Sequence, residues 1–469
     1  MRTISSRLEG VPSAAGAGAA AGTTASGAAD ARGGGAAGGA AGKGFAAGKG
    51  LAAGNGLVRG NGLEDSTDVI AADSSSTGTQ CCVESPVCHE TVGPGQRPAL
   101  TRLPLVTIVL GTRPEAIKLA PVIQAFQQAS DFATRVVLTG QHREMVSQVM
   151  ELFGIDADHD LALMAPKQTL THITCSALEG LKQEFEAHRP DLVLVQGDTT
   201  TAFAAALAAF YEQIPVGHVE AGLRTDNLLD PFPEEANRRL ISQLAQLHFA
   251  PTERSAANCR ASGVVGEVLT TGNTVIDALL LMAKQAAPFE LQGFDPAAQR
   301  LVLVTVHRRE NWGERLLEIG AALQQLLQRY DDLVILLPLH RNPTVREPLQ
   351  DLLGDHPRAH LCEPLDYDRL VAAMREATLV LSDSGGLQEE APALGKPVLV
   401  LRRTTERPEA VDAGTAKLIG TATADIVREA SLLLDDAAAY DAMARAHNPF
   451  GDGLSSGRIV EAARRLLQR

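Results

Sequence analysis

From about Leu103 onward the chain repeats one pattern: a run of five or six apolar residues, then an amphipathic stretch of ten or more. Runs of that length without polar alternation bury both faces, as the strands of a helix-covered parallel sheet do. Strands alternating with helical stretches are the βαβ signature of such a sheet. A first series comprises LVTIVL (105–110), RVVLT (135–139), LVLVQ (192–196) and PVGHVE (215–220). After PFELQGFDPAAQ (288–299) a second follows, with LVLVTV (301–306), LVILLP (333–338), AHLCE (359–363), TLVLS (378–382) and PVLVL (397–401). The expected class is α/β, with two Rossmann-like doubly wound domains facing across a cleft. Ligands of such sheets lie beyond the carboxyl ends of the strands, so the residues that follow each strand carry the functional information.

The preceding hundred residues are of another kind. The first 62 hold 18 Gly and 18 Ala with no apolar periodicity, and residues 1–102 are read as a disordered tail unable to bury enough apolar surface to offset its ordering entropy. Gly33, Gly35 and Gly38 there form a GxGxxG string, but no strand precedes it. Cys81, Cys82 and Cys88 lie in the same tail with only His89 nearby, which makes no zinc site. With 42 Lys plus Arg against 56 Asp plus Glu the net charge is −14, so neither nucleic acid nor an anionic membrane is an expected partner, and an anionic ligand must meet a local basic cluster. No run of 18 apolar residues and no compact signal-peptide core occur, and the chain is read as cytoplasmic. Six scattered Cys without a CxxC pair, and the lack of a P-loop or a strand-linked dinucleotide fingerprint, predict neither metal nor redox cofactor.

Several strand ends carry chemistry. After the first strand, GTRPEAIKLAP opens a helix at Pro114, with Arg113 and Lys118 flanking a helix N-terminus that attracts anions. The next strand leads into GQHREM, a polar turn holding Gln141, His142, Arg143 and Glu144. Asp198, in LVLVQGDTTTAF, is either a helix cap or an acid/base group. Glu220 closes a buried strand, a costly place for a carboxylate that is neither paired nor working. In PFPEEANRRL the pairs Glu234/Arg238 and Glu235/Arg239 are spaced for i,i+4 salt bridges, the alternative to an acid/base role for Glu234. His307 with Arg308, and His340 with Arg341, follow consecutive strands of the second series. In SDSGGLQEEAP, Gly385 and Gly386 after Ser384 let backbone N–H groups approach phosphate, and Glu390 can accept from ribose hydroxyls. Arg407 adds a further cation. The residues alone predict a cleft for a nucleoside diphosphate compound, with Asp198, Glu220 and Glu234 on one wall and phosphate donors on the other; they do not name the reaction.

Taken together, GTRPEAIKLAPVI, GQHREM, QGDTTTAFAAALAAFYEQIPVGHVEAGLRT, PFPEEANRRL, TGNTVIDALL, VHRREN, SDSGGLQEEAPALGKPVLVLR and TTERPEAV resemble the bacterial non-hydrolysing UDP-N-acetylglucosamine 2-epimerases from about Val106 to the final helix. The resemblance implies the GT-B fold, with an N-terminal domain at 103–273, a UDP-binding domain at 274–453 and a helix at 454–469 packing back on the first domain. It also implies a homodimer that interconverts UDP-N-acetylglucosamine and UDP-N-acetylmannosamine through elimination of UDP and re-addition to 2-acetamidoglucal, for cell-envelope polysaccharide synthesis. Asp198, Glu220 and Glu234 then match the acid/base groups, and His307 and Arg113 the groups that steady the departing diphosphate. Lys118, Arg238, His340, Ser384, Gly385, Gly386 and Arg407 match nucleotide-binding positions, Glu390 the ribose position, and Leu365 and Leu370 the uracil environment, where relatives carry Gln and Phe. Gln141, Glu144 and Arg308, with Glu234, match an activating second site, in which Ser176 replaces a usual Arg; weakened activation is the expectation. Two further readings stay open: a 2-epimerase for a modified UDP-sugar such as a diacetamido uronic acid, prompted by DNLLDPFPEE, and a GT-B glycosyltransferase sharing sheet order and the Gly-Gly turn.

Overall fold

Two parallel sheets organise the molecule. The computed structural model describes residues 102–163 and 168–468; the Ala/Gly-rich tail with its GxGxxG string and cysteines lies outside the described residues. Seven strands make the first sheet: β1 (Leu105–Leu110), β2 (Ala133–Leu138), β3 (His159–Asp160), β4 (Leu192–Gln196), β5 (Val216–Val219), β6 (Leu247–Ala250) and β7 (Glu267–Thr270). The helices between them are α1 (Arg113–Gln128), α2 (Arg143–Phe153), α3 (Leu170–Ala187), α4 (Thr200–Tyr211), α5 (Glu234–Leu244) and α6 (Glu253–Ala261). After α7 (Thr274–Gln285) come β8 (Arg300–Thr305), β9 (Leu333–Pro338), β10 (Ala359–Cys362), β11 (Leu379–Ser382), β12 (Val398–Val400) and β13 (Ala416–Leu418). Interleaved with these are α8 (Glu314–Arg329), α9 (Pro343–Leu353), α10 (Tyr367–Glu376), α11 (Leu387–Ala393) and α12 (Pro408–Asp412). The chain closes with α13 (Thr423–Asp435), α14 (Ala437–Ala444) and α15 (Ser455–Leu467).

Strand order is β3-β2-β1-β4-β5-β6-β7 in one sheet and β10-β9-β8-β11-β12-β13 in the other. Every pairing is parallel. The expected class, two doubly wound α/β sheets, is the observed one. In both, chain direction across the sheet reverses beside the first strand, between β1 and β4 and between β8 and β11, and such switch points open a crevice for ligand. Nine strands were legible as apolar runs; β3, β6, β7 and β13 were not. β3, β7 and β13 are edge strands with partly exposed faces, and β6, LHFA, is buried but interrupted by His248, so none produces an unbroken apolar run.

The central strands bury both faces because helices cover them, with Val106, Ile108, Leu192, Leu194, Leu301, Leu303 and Val380 among fully or almost fully buried residues. Small residues set the spacing on one face: α4 is Ala-rich and packs between α3 and α5, with Ala204, Ala205, Ala206 and Ala209 at zero exposure. Gly222 marks another tight approach, at φ +93°, where a Cβ would lie 2.0 Å from the Ser255 carbonyl oxygen. On the other face α1 packs against α7 and α15. Helix α7 also contacts α10 and α11, so one helix touches elements of both sheets. The amide N–H groups at the start of α15 donate to the buried Asp277 of α7, from Ser455 at 3.2 Å and Ser456 at 2.8 Å. Arg464 pairs with Asp131 at 2.6 Å, fixing the far end of α15 beside the first sheet.

Candidate active site

The residues that follow β1, β4 and β5 converge. Thr112 caps α1 in a capping box, with the N–H groups of Gly111 and Thr112 both donating to Glu115 Oε2 at 2.7 Å. Thr199 Oγ1 donates to the same buried carboxyl, tying the α1 start to the residue beside Asp198. Burial pushes the Glu115 carboxyl up, against the hydrogen bonds from Thr199, Gly111 and Thr112. One turn along α1, Lys118 reaches Glu220, with Nζ 2.7 Å from Oε1 and 2.6 Å from Oε2. Gln196, the last residue of β4, donates through Nε2 to Glu220 Oε2, and Asn273 Nδ2 donates to Oε1 at 3.2 Å. Glu220 adopts φ +64°, and strain of this kind in a non-glycine residue persists only where surrounding contacts over-determine it. Those four contacts supply that restraint.

The chain of charge continues across to the second sheet. Asn273 Nδ2 also donates to Glu389 Oε2 at 2.6 Å, and Glu389 Oε1 accepts from Arg407 Nε. Lys118, Glu220, Asn273, Glu389 and Arg407 thus form one connected polar path from α1 to the start of α12. Burial pushes Glu220 up, but Lys118 and Arg407 outweigh it and hold the carboxyl below its usual range. Burial pushes Lys118 down, while Glu220 and Glu389 more than compensate and keep it above its usual value.

Asp198 is placed otherwise. Its carboxylate is about a quarter exposed, Arg238 NH2 donates to Oδ2 at 2.6 Å, and Asn237 Nδ2 donates to its backbone carbonyl at 2.9 Å. Burial raises the Asp198 carboxyl, and the opposing pull of Arg238 does not cancel it. Arg238 therefore bonds Asp198 and, at 3.2 Å, Glu235, and forms no ion pair with Glu234. Of the two i,i+4 pairs open from the sequence, Glu235 with Arg239 exists, at 2.5 Å, and Glu234 with Arg238 does not. Glu235 is fully buried and structural, accepting also from Thr225 N–H, whereas Glu234 is half-buried with no partner among the described residues.

On the second sheet, His307 follows β8 and its Nδ1 lies 2.9 Å from Asp383 Oδ1. Ser384, Gly385 and Gly386 form the turn after β11 and are half-buried to exposed. Glu390, on α11, accepts from Tyr367 Oη at 3.2 Å. Arg113 lines a cavity of about 390 Å³ with Gln148, Leu152, Asp366, Tyr367 and Asp368, which draws on α2 of one sheet and α10 of the other. His340 is exposed, its Nδ1 accepting from Asn342 N–H at 3.1 Å. Leu365 and Leu370 are half-buried and pack on the apolar core. Gln141 accepts from Thr201 Oγ1 at 2.8 Å, Glu144 is exposed, and Arg308 reaches Glu406 at 3.4 Å. Ser176 lines a separate groove with Arg135, His159, Glu179 and His188.

Asn273, Glu389, Gln196 and Asp383 escaped the sequence reading. Asn273 follows a strand too short to read, and Glu389 was masked by its neighbour Glu390. Gln196 and Asp383 stand inside motifs whose other members carried more obvious chemistry.

Glu390 yields a prediction. Burial first, and then the neighbouring Glu389, raise its carboxyl from 4.5 to about 7. Below pH 4.5 both folded and unfolded chains hold this proton; between 4.5 and about 7 only the folded chain does, so the favourable term is lost as pH rises through that window. Urea titrations at pH 4.5 and 8 should show the parent losing on the order of 3 kcal/mol relative to Glu390→Gln. Parallel pH dependence in the two proteins would refute the assignment.

Residues 124–464 match the family model described as UDP-N-acetylglucosamine 2-epimerase. The Escherichia coli (strain K12) UDP-N-acetylglucosamine 2-epimerase is 51% identical over 366 residues, covering 76% of this chain and 97% of its own. The structure of the Neisseria meningitidis UDP-GlcNAc 2-epimerase bound to UDP-GlcNAc superposes with a TM-score of 0.69 at 49% identity, covering 77% of this chain and 100% of that one. An S. aureus protein solved with UDP gives a TM-score of 0.70 at 43% identity, over 78% of this chain and 97% of the other. With a family model matched over residues 124–464, through both sheets, and relatives about half identical over nearly their whole length, the chain belongs to the UDP-N-acetylglucosamine 2-epimerase family.

Proposed function

We propose that this chain interconverts UDP-N-acetylglucosamine and UDP-N-acetylmannosamine by eliminating UDP and adding it back. The C2 proton leaves to an enzyme base as the C1–O bond breaks, the electron pair of the C2–H bond forms the C1=C2 bond of 2-acetamidoglucal, and UDP departs with the pair from the C1–O bond. Return of a proton to the opposite face of C2, with UDP re-adding at C1, gives the epimer. The observation that carries this reading is the pair of carboxylates just beyond the paired strands β4 and β5, Asp198 held by Arg238 and Glu220 by Lys118. Exchange of a proton across two faces calls for two groups that can carry it, and burial that raises Asp198 while Lys118 and Arg407 lower Glu220 gives the two carboxyls different proton affinities. In this reading Asp198 donates, Glu220 and Glu234, which has no partner among the described residues, supply the basic side, and His307 and Arg113 steady the diphosphate.

Lys118, Arg238, His340 and Arg407, with Ser384, Gly385 and Gly386, hold the nucleotide in this reading; Glu390 takes the ribose hydroxyls, and Leu365 and Leu370 border uracil. Arg407 is engaged by Glu389 in the present structure, so it reaches phosphate by exchanging one anion for another. The bound UDP-GlcNAc of the Neisseria relative supports the substrate. Residues 103–273 and 274–453 are the two domains of this reading, with the final helix returning to the first. Exposed Phe210 and Tyr211 on α4 and Leu240 on α5 offer an apolar face to a second copy of the chain, in keeping with a homodimer. No described helix is long and apolar enough to cross a membrane, and the reading places the enzyme in the cytoplasm, feeding cell-envelope polysaccharide synthesis. Gln141, Glu144 and Arg308 form the second, activating site of this reading, weakened by Ser176.

Proton NMR of the protein with UDP-N-acetylglucosamine in deuterated water tests the proposal. UDP-N-acetylmannosamine carrying deuterium at C2 is the expected product. Unchanged, unlabelled substrate would move the assignment to a modified UDP-sugar or a transferase, and free N-acetylmannosamine with UDP would indicate hydrolysis.

A further inference from the structure

We propose that Asp383 is the positioning residue for His307: it holds the imidazole with a proton on Nδ1 and turns Nε2 toward the place of the departing diphosphate. This rests on the reading of His307 as a diphosphate contact. Strands β8 and β11 are paired in register, Thr305 opposite Ser382, so the residues that follow them emerge side by side where the second sheet reverses direction. The hydroxyls of Thr305 and Ser382 hydrogen bond at 2.6 Å, and Asp383 N–H donates to Thr305 O at 3.2 Å, which closes the gap between the two strand ends.

Asp383 itself has zero exposure, and three N–H donors hydrogen bond to its carboxylate. His307 N–H lies 3.1 Å from Oδ1 and 3.0 Å from Oδ2, Arg308 N–H 2.9 Å from Oδ2, and Asn311 Nδ2 3.0 Å from Oδ2. Asn311 is locked in turn by a bond from Nδ2 to Leu401 O at 3.0 Å. The remaining neighbour is His307 Nδ1, 2.9 Å from Oδ1. A carboxylate so placed accepts and does not donate, so a neutral His307 carries its proton on Nδ1. The ring is 41% exposed, and no hydrogen bond to its Nε2 occurs among the described residues. A second proton on the ring is therefore carried at Nε2, where its N–H meets a diphosphate oxygen as the C1–O bond breaks, while Asp383 balances the charge. Burial pushes the Asp383 carboxyl up, but the His307 side chain and the two backbone N–H groups outweigh it, keeping the carboxyl below its usual range. Carboxylates that hold a histidine tautomer in this manner are worth large factors in turnover and little in binding.

Two measurements decide the matter. Long-range proton–nitrogen spectra of the parent protein labelled at histidine nitrogen, with His307 assigned by its loss in His307→Gln, should show Nδ1 protonated at neutral pH. A neutral ring protonated at Nε2 alone would overturn the proposal, and this readout needs no variant of Asp383 to fold. In the second, Asp383→Asn is compared with Asn311→Ala, which removes another donor to Asp383 but leaves the ring contact intact. The expected outcome is a fall in kcat of about 10²-fold or more for Asp383→Asn with the UDP Kd within about threefold, and a much smaller change for Asn311→Ala. Equal losses in both would show that Asp383 only secures the loop. A parent protein that leaves UDP-N-acetylglucosamine unchanged would refute the epimerase reading, while the tautomer measurement would still decide the pairing.

Discussion

Asp198→Asn and Glu220→Gln are each expected to lower kcat by about 10²- to 10⁴-fold, the range that a positioned acid or base contributes, while the UDP Kd stays within about threefold. Both substitutions keep side-chain size and remove a charge, so lost turnover with retained binding separates proton transfer from nucleotide recognition. The two losses have different local causes. Asn at 198 keeps a hydrogen bond to Arg238 but cannot deliver a proton to C2. Gln at 220 turns an amide toward Lys118, Gln196 and Asn273, all of them donors to the present carboxylate. Glu234→Gln should fall in the same direction with no cost in stability, because Glu234 has no partner among the described residues. The measurements are deuterium uptake at C2 followed by NMR and UDP titration by calorimetry. Turnover equal to the parent's in both the Asp198 and Glu220 variants would remove the acid/base assignment.

Candidate site residues are legible in the sequence where a strand end and a chemically demanding residue coincide. Long strands with both faces buried, such as β1, β4 and β9, produce uninterrupted apolar runs, and the residues just after them could be listed without a structure. Asp198 and His307 stand out in that way, and Glu220 because its strand β5, though only four residues long, is buried throughout. Short strands break the rule: β7 has four partly exposed residues, so Asn273, three residues beyond it, had no strand to mark it. Pairing between distant segments was also illegible. Lys118 and Glu220 are 102 positions apart and Asn273 and Glu389 are 116 apart, and no local spacing signals that their side chains meet. Arg238 illustrates the converse, since i,i+4 spacing left Glu234 open as its partner while the tertiary fold offers Asp198 and Glu235. The polar path from Lys118 to Arg407 therefore emerges only when both sheets are in place.

That path predicts the second large effect. Lys118→Met leaves Glu220 buried without its directly bonded cation and with only the more distant Arg407 to offset its charge, and removing one partner of a buried pair costs about 3 to 5 kcal/mol. Both side chains are well covered, Lys118 at 20% and Glu220 at 5% exposure, so solvent offers little relief. A drop of that size in unfolding free energy, read from the urea midpoint at constant m-value, is the expected result. The double variant Lys118→Met with Glu220→Gln should recover more than half of the loss, because it strands no charge. If the double variant instead loses the sum of the two single effects, the pair is not energetically coupled and the path from α1 to α12 is only a spatial one. The pH dependence has a fixed sign at each end. Glu220, lowered from 4.5, contributes above that value and loses its term as pH falls through the folded value; Lys118, raised from 10.5, contributes below that value and loses its term as pH rises beyond it. The stability difference between parent and Lys118→Met should therefore be greatest and nearly flat between about pH 5 and 10, and should shrink toward acid as Glu220 takes up its proton.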